Sequence, residues 1–311
     1  MVRALGLGLA PSPAARLLRH FDRRGMLGPL LLVVGTIAMS AYEVEAGARI
    51  FSGFDATQDF GLAWRGLDAL QLQTTAPVSL LGTLREVDPL FTRNTGRAFQ
   101  AVSGKYEVEI LAAPSTWASF PKGDLVPIPG MAEQEWLLLG TPLRHVIGAV
   151  NGTPAAVVAP DPRWMSLHKL WLSHKPQRQA TKKPKDQAQG LLLMRAVIER
   201  MPAYPLDEAF ISAVPAELKA YLRMGVDCAL ANRSAPAGDV AADEFNALAP
   251  ARVAPGLLRR IRRVAGEVPA FETAYDAGGG IPAGANVKTA HLRRCYRFYR
   301  RLRAHHDVMM R

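Results

Sequence analysis

The chain has 311 residues and an apolar fraction of 49%, which is enough to bury the core of one large or two moderate domains and excludes an intrinsically disordered protein. Its formal net charge is +11, and nine of these positive charges lie in residues 251–311, where 13 Lys and Arg face 4 Asp and Glu. Such a segment favours an anionic partner, most often nucleic acid, although a basic helix in solvent explains it equally well.

The first half of the chain alternates strand-like and helix-like segments. Short apolar runs that end in a turn predict buried strands, and the pairs Ser103-Gly104 and Asn151-Gly152 between strand-like runs predict hairpins. The predicted elements are a helical lead within 1–26, a strand over 29–36, a helix over 38–48, a strand over 57–64, an amphipathic helix over 80–93, and hairpins over 98–112 and 145–160.

The segment "RRGMLGPLLLVVGTIAMSA" (23–41) resembles a signal peptide, with basic residues before an apolar run and small residues after it. The apolar run is too short for a transmembrane helix, and it lies far from Met1 for an export signal. A buried strand followed by a helix explains the segment better. We therefore expect a protein without a membrane partner.

Helical patterns dominate beyond residue 160. The predicted elements are a helix over 162–174, a basic linker over 175–186, a helix over 187–201, and basic helices over 249–266 and 287–307. The predicted fold class is α+β, with a mixed sheet flanked by helices and a mostly helical C-terminal domain. The predicted boundaries are a lead over 1–26, an α+β domain over 27–160 and a helical domain over 161–311.

Cysteine and histidine give no strong metal-site signal. The two cysteines, Cys228 and Cys295, have neither metal-ligand spacing nor the number that a disulfide framework needs. A reducing cytoplasm therefore fits best. His168 has no partner at ligand spacing, so we expect it to be structural.

Three pieces of the predicted α+β domain suggest phosphate chemistry. Gly35-Thr36 joins a strand to a helix, where backbone N–H groups and a hydroxyl can meet a phosphate. Asp59 lies in the next strand, and Glu107 and Glu109 share one face of a later strand. Carboxylates beside a phosphate-binding turn are what Mg²⁺-assisted phosphoryl or nucleotidyl transfer requires.

The runs "LLVVGTIAMSAYEVEAGARI", "ATQDFGLAW", "YEVEIL" and "APDPRWMSLHKLWLSHKPQRQATKKPKDQAQ" together resemble a bacterial family of nucleotidyltransferase-fold proteins. That family is distantly similar to the toxins of abortive-infection type II systems and to the DNA polymerase beta superfamily. The resemblance covers about residues 27–220. Its most specific part is the last run, because its length and residue order are unlikely to recur by chance.

The resemblance implies a role for the turn and for two carboxylates. Gly35 and Thr36 match a turn that holds the triphosphate of an NTP. Asp59 matches the first carboxylate that binds Mg²⁺ or Mn²⁺. Glu109 matches the third carboxylate, which binds the metal and activates the acceptor hydroxyl.

The resemblance also assigns nucleotide-binding residues in the run that follows residue 158. Lys169 matches a lysine near the nucleotide phosphates, where a point charge is useful. Lys182 and Asp186 match a later Lys and Asp, with Gln189 beside them. Arg178 is a further candidate for a phosphate contact.

The sequence departs from the family pattern at the metal site. The second metal-binding carboxylate falls on Gly61, and the preceding acidic position is Gln58. Mg²⁺ demands near-ideal octahedral geometry, so the loss of a ligand should weaken its binding. Either catalysis is lost and nucleotide binding remains, or Glu107, Glu109 or Asp55 compensates.

These observations leave three hypotheses. The first is a metal-dependent transfer of a nucleotide from an NTP to a hydroxyl of RNA, protein or a small molecule. The second is a catalytically degenerate member that binds nucleotide or RNA, steered by the basic C-terminal region. The third, suggested by the distant similarity to toxins alone, is a toxin or a protein with a toxin–antitoxin-like partner.

Overall fold

The computed structural model describes residues 7–50, 58–66, 79–121, 125–128 and 132–231. The strands are β1 (Leu9–Ala10), β2 (Leu31–Val34), β3 (Asp59–Trp64), β4 (Thr92–Arg93), β5 (Gln100–Ser103), β6 (Tyr106–Ala112), β7 (Leu143–Ala149) and β8 (Pro154–Ala159). The α-helices are α1 (Ser12–Arg23), α2 (Thr36–Ala46), α3 (Leu80–Val87), α4 (Pro114–Trp117), α5 (Pro162–His174), α6 (Lys183–Arg200), α7 (Glu208–Ala213) and α8 (Ala216–Ala231). A 3₁₀ helix covers Ala132–Leu138. The fold is α+β up to β8 and helical from α5 to α8, which confirms the predicted fold class.

Two sheets carry the strands. The larger has the order β2-β3-β6-β5-β4, and the smaller has the order β1-β7-β8. Both are mixed, because β3 pairs with β6 and β1 pairs with β7 in parallel, whereas the other pairs are antiparallel. The hairpins β5–β6 and β7–β8 confirm the two hairpins predicted from the Ser-Gly and Asn-Gly pairs.

The central strands of the larger sheet have one apolar face and one polar face. Phe60, Leu62, Val108 and Ile110 are fully buried on the first face. Helix α1 contacts this face through Phe21, whose ring lies 6.5 Å from that of Phe60. The alternate positions of β3 and β6 therefore lie on the opposite face, and these include the carboxylates of interest.

The described part of the predicted N-terminal lead belongs to the same core. Strand β1 pairs with β7, and α1 buries Leu17, Leu18 and Phe21. The division of the chain at residues 26 and 160 stays a prediction. None of the helices within the described ranges has the length and apolarity that a membrane crossing needs.

Helices α5 and α6 pack closely because α6 has a glycine at the contact. A Cβ at Gly190 would lie 2.7 Å from Leu170 Cγ, so no larger residue fits without a shift. Ser166 Oγ also donates a hydrogen bond to the carbonyl oxygen of Gly190, at 2.8 Å. This contact fixes the position of α6 and of the polar residues at its N-terminal end.

Two predicted boundaries were wrong. The helix predicted over 80–93 ends at Val87, because Pro89 forces Asp88 into an extended conformation. The linker predicted over 175–186 is shorter, since α6 begins at Lys183 with a proline in its first turn. The predicted basic helices over 249–266 and 287–307 lie outside the described residues.

Candidate active site

The ends of three strands bring the predicted phosphate-binding turn and carboxylates to one place. Val34, the last residue of β2, pairs with Gly61 of the antiparallel β3. In the parallel pair β3–β6, Asp59 is opposite Glu107, and Gly61 is opposite Glu109. The turn that follows β2 therefore lies beside the start of β3, with the carboxylates of β3 and β6 on one sheet face.

The turn itself requires a glycine. Gly35 has φ 74° and ψ −148°, a conformation that residues with a Cβ rarely adopt. No atom lies within 4 Å of where a Cβ would be, so the space above the turn is open among the described residues. Helix α2 begins at Thr36 with no acidic residue in its first turn, and the Gly35 position supplies no side-chain cap. Its first N–H groups and the positive end of its dipole thus favour an anion.

Asp59 and Glu109 share their surroundings with Lys182. The Lys182 Nζ donates a hydrogen bond to Asp59 Oδ2 at 3.0 Å, and the Asp59 side chain is 44% exposed. Burial raises the pKa of Glu109, the Lys182 ammonium opposes this, and the negative charges of Asp59 and Glu107 raise the pKa further. Each of these charges is close enough to act on Glu109, so the structure brings the predicted residues Asp59, Glu109 and Lys182 together.

A buried amide that sequence reasoning missed joins the two glutamates of β6. Gln100 is fully buried, and its Nε2 donates to Glu107 Oε2 at 2.7 Å and to Glu109 Oε1 at 3.3 Å. Asn94 Nδ2 in turn donates to Gln100 Oε1 at 2.6 Å. The predicted hairpin contained the signal, because a tight turn after Ser103 sets Gln100 opposite Glu109.

Lys169, Arg178 and Asp186 form a buried ion cluster. Lys169 Nζ donates to Asp186 Oδ1 at 2.7 Å, and Arg178 Nε donates to Asp186 Oδ2 at 2.7 Å. Burial alone would raise the pKa of Asp186, but the two cations outweigh it and lower this pKa. The side chains of Lys169 and Asp186 are only 6% and 2% exposed. The predicted contact of Lys169, Arg178 and Asp186 with a nucleotide stays a prediction, and the structure shows these three side chains bound to one another.

Lys185 was also missed. Burial lowers the pKa of this half-buried lysine, and the positive charges of Lys169 and Lys182 lower it further, whereas Asp186 and Asp59 oppose them. The signal was the spacing of 182, 185, 186 and 189, which puts all four residues on one face of a helix. At the far end of this face, Gln189 Nε2 lies 3.5 Å from Thr36 Oγ1.

With this geometry in place, comparison with known proteins decides the family. A family model described as "Nucleotidyltransferase" matches residues 12–215, which is more than half of the chain. The chain belongs to the nucleotidyltransferase family. Among solved structures, an antigenic nucleotidyltransferase-like protein from Paracoccidioides brasiliensis is 16% identical, with a TM-score of 0.34, over 78% of this chain and 96% of that chain. No curated protein matches the chain.

The carboxylates of this nucleotidyltransferase fit a metal ion that takes most of its ligands from phosphate groups and water. Within the described ranges, no three or more His, Cys, Asp and Glu side chains form a group that could hold a metal ion by themselves. Mg²⁺ at nucleotide sites usually needs one or two carboxylates, together with phosphates and water. Asp59 and Glu109, the predicted ligands, carry the hard oxygen donors that this ion prefers, and Glu107 is a third such side chain on the same face.

Packing accounts for glycine at position 61, where the family resemblance predicts a second carboxylate. A Cβ at Gly61 would lie 3.0 Å from Val34 Cγ2 and 3.3 Å from the carbonyl oxygen of Val34. Both distances are tighter than ordinary van der Waals contact. The neighbouring strand thus leaves little room for an aspartate at position 61.

Proposed function

We propose that this nucleotidyltransferase moves a nucleotide from an NTP to a hydroxyl acceptor with the help of Mg²⁺ or Mn²⁺. One observation carries the proposal. Asp59, Glu109 and Lys182 meet on one sheet face, beside the strand end from which Gly35 and Thr36 begin α2. Carboxylates for a cation thus stand next to an N-terminal helix end and a lysine for phosphates.

Each group has a role in this reaction. The first-turn N–H groups of α2 and the ammonium groups of Lys182 and Lys185 bind the triphosphate. A bound metal ion would offset negative charge on the phosphate oxygens. Glu109 accepts the proton of the acceptor hydroxyl, whose oxygen forms a bond to the α-phosphorus. The bond from the α-phosphorus to the bridging oxygen of the β-phosphate breaks, and pyrophosphate leaves.

The buried cluster below this surface holds the lysines in place. Asp186 binds Lys169 and Arg178 and lies on the same helix face as Lys182 and Lys185. It thereby fixes the start of α6 against α5. This arrangement keeps the ammonium groups near Asp59 before a nucleotide binds.

A transfer assay tests the proposal. Purified protein is incubated with each of four α-labelled NTPs, Mg²⁺ or Mn²⁺, and total bacterial RNA. We expect label to enter RNA or the protein itself, and Asp59→Ala to abolish this transfer together with metal-dependent nucleotide binding. Asp227→Ala is a matched control, because its side chain is 45% exposed and lies on α8. Unchanged nucleotide binding in Asp59→Ala would contradict the proposal.

A second candidate is a binding module that has lost catalysis. The close contact between Val34 and the Gly61 position favours it, because a single reversion to aspartate is crowded. Under this hypothesis the protein binds NTP or RNA but transfers no label under any condition. The bacterial origin, the cytoplasmic location and the relation to toxins stay predictions from the sequence.

A further inference from the structure

The register of β3 and β6 puts Glu107 next to the predicted first metal ligand. Asp59 and Glu107 are direct partners in a parallel pair, and both belong to the face opposite the Phe60–Val108 core. Neighbouring strands in a sheet lie about 4.8 Å apart. Glu107 is therefore a carboxylate beside Asp59, on the side of Asp59 away from β2.

One oxygen of Glu107 is held and the other is available. Gln100 Nε2 donates to Glu107 Oε2 at 2.7 Å, and Gln100 is itself fixed by Asn94 at 2.6 Å. Glu107 Oε1 accepts no hydrogen bond from any of the residues that the structure describes. A carboxylate fixed through one oxygen is well suited to give the other to a cation.

The neighbouring carboxylates differ in their surroundings. Asp59 is bound by Lys182, and Glu109 is opposite the crowded Gly61 position. The place that an aspartate at 61 would occupy is crowded by Val34, whereas Glu107 already lies opposite Asp59 on the neighbouring strand. A second ligand is thus more easily supplied from β6 than from β3.

We propose that Glu107 supplies the second metal-binding carboxylate, in place of residue 61, and that it does so with Asp59 when a nucleotide is bound. This inference rests on the proposed function, since it requires a metal–nucleotide complex at this site. It leaves Glu109 as the acceptor of the hydroxyl proton. Because the residues that the structure describes here offer only carboxylate side chains to the ion, the protein's metal affinity depends on the phosphates of the nucleotide.

The test measures metal binding without turnover. Full-length protein is titrated with Mn²⁺ in the presence of an α,β-methylene analogue of each NTP, and water-proton relaxation enhancement reports Mn²⁺ held on the protein. The variants are Glu107→Gln, Glu107→Asp and Asp59→Ala. Glu217→Gln is the matched control, an exposed glutamate in the first turn of α8. Circular dichroism confirms that each variant is folded.

We expect Glu107→Gln to weaken Mn²⁺ binding about ten-fold or more, and Glu217→Gln to leave it unchanged. Glu107→Asp keeps the charge but shortens the side chain, so it should also weaken binding, and it serves if Glu107→Gln does not fold. If Asp59→Ala abolishes binding while both Glu107 variants bind like the wild type, this inference is overturned and the proposed function stands. If the wild type holds no Mn²⁺ with any analogue, both fail together.

Discussion

At position 61, the lack of a side chain leaves room for β2 beside β3. A Cβ there meets Val34 Cγ2 at 3.0 Å, and the backbone carbonyl of Val34 cannot move away as a side chain can. Glycine at this position therefore allows the close approach of the two strands. An aspartate at this position would therefore require Val34 to shift.

His168 illustrates a buried group whose protonation state is set by its surroundings. Its ring stacks on Trp171 at 6.4 Å and meets Trp136 edge-on at 6.5 Å. Burial lowers the pKa of His168 to about 3, and the nearby Lys169 ammonium adds to this effect. The ring is therefore neutral in the folded protein at pH 7, as expected of a structural histidine.

We predict that His168 makes the fold sensitive to mild acid. In the unfolded chain the ring takes up a proton near pH 6.5, whereas the folded protein resists protonation down to about pH 3. The contribution of His168 to the free energy of unfolding is therefore fully present above pH 6.5 and is lost as the pH drops toward 3. Between pH 7 and pH 5 the free energy of unfolding should fall by about 2 kcal/mol more in the wild type than in His168→Gln. Urea denaturation at both pH values measures this, and an equal loss in both proteins would contradict it.

The pair of helices α5 and α6 is held together by an apolar contact at Gly190 and by the buried ion pair of Lys169 with Asp186. Burial lowers the pKa of Lys169, and Asp186 counteracts this effect through its charge and hydrogen bond. Such a pair costs much when one partner is removed, because the other charge is left buried alone. The packing of α5 against α6 therefore depends on both Lys169 and Asp186.

We predict that Asp186→Ala destabilises the protein by about 3–5 kcal/mol, because Lys169 would be left as an uncompensated buried charge. The double variant Lys169→Met/Asp186→Leu is the matched control, since it removes both charges and keeps apolar volume. It should cost much less than the single change. Chemical denaturation followed by circular dichroism measures both. A single variant within 1 kcal/mol of the wild type would contradict a stabilising role for the pair.

The existence of the hairpins and of the first strands could be predicted from the sequence, because it depends on the conformational preferences of a few adjacent residues. Asn151-Gly152 and the residues around Ser103-Gly104 favour tight turns through their own backbone preferences. The end of the helix near Val87 was missed because its apolar pattern continues past Asp88-Pro89, where the proline stops the helix. The start of α6 was missed because the basic residues around it look like a linker, although Pro184 suits a first turn.

At the scale of the whole molecule, the charge distribution favours a polyanionic partner. The region 251–311 carries most of the net positive charge and lies outside the described residues. Within this region, aromatic residues are interspersed with basic residues in "HLRRCYRFYRR". Arginines bind phosphates, and aromatic rings stack on bases, so the composition suits single-stranded RNA.

We predict that replacing the five arginines at 293, 294, 297, 300 and 301 with glutamine, in the full-length protein, sharply lowers its affinity for RNA. The slope of the logarithm of the binding constant against the logarithm of the salt concentration should become less negative by up to about 3.5, if each arginine neutralises one phosphate of a single strand. A variant with Arg23→Gln and Lys219→Gln tests whether cations of the folded region matter as much. Filter binding from 50 to 200 mM salt gives both affinities and slopes. Unaltered RNA binding in the five-site variant would exclude this region as the binding surface.

The sequence alone determined the features that depend on neighbouring residues: the Gly35-Thr36 turn, the alternation that places Glu107 and Glu109 on one face, and the hairpin turns. It also carried the match to the nucleotidyltransferase family. Only the tertiary structure decided that β3 pairs in parallel with β6, that Val34 crowds position 61, and that Lys169 and Asp186 are buried as a pair. Turn and strand preferences act within a few residues, whereas strand order, register and burial result from packing between segments far apart in the chain.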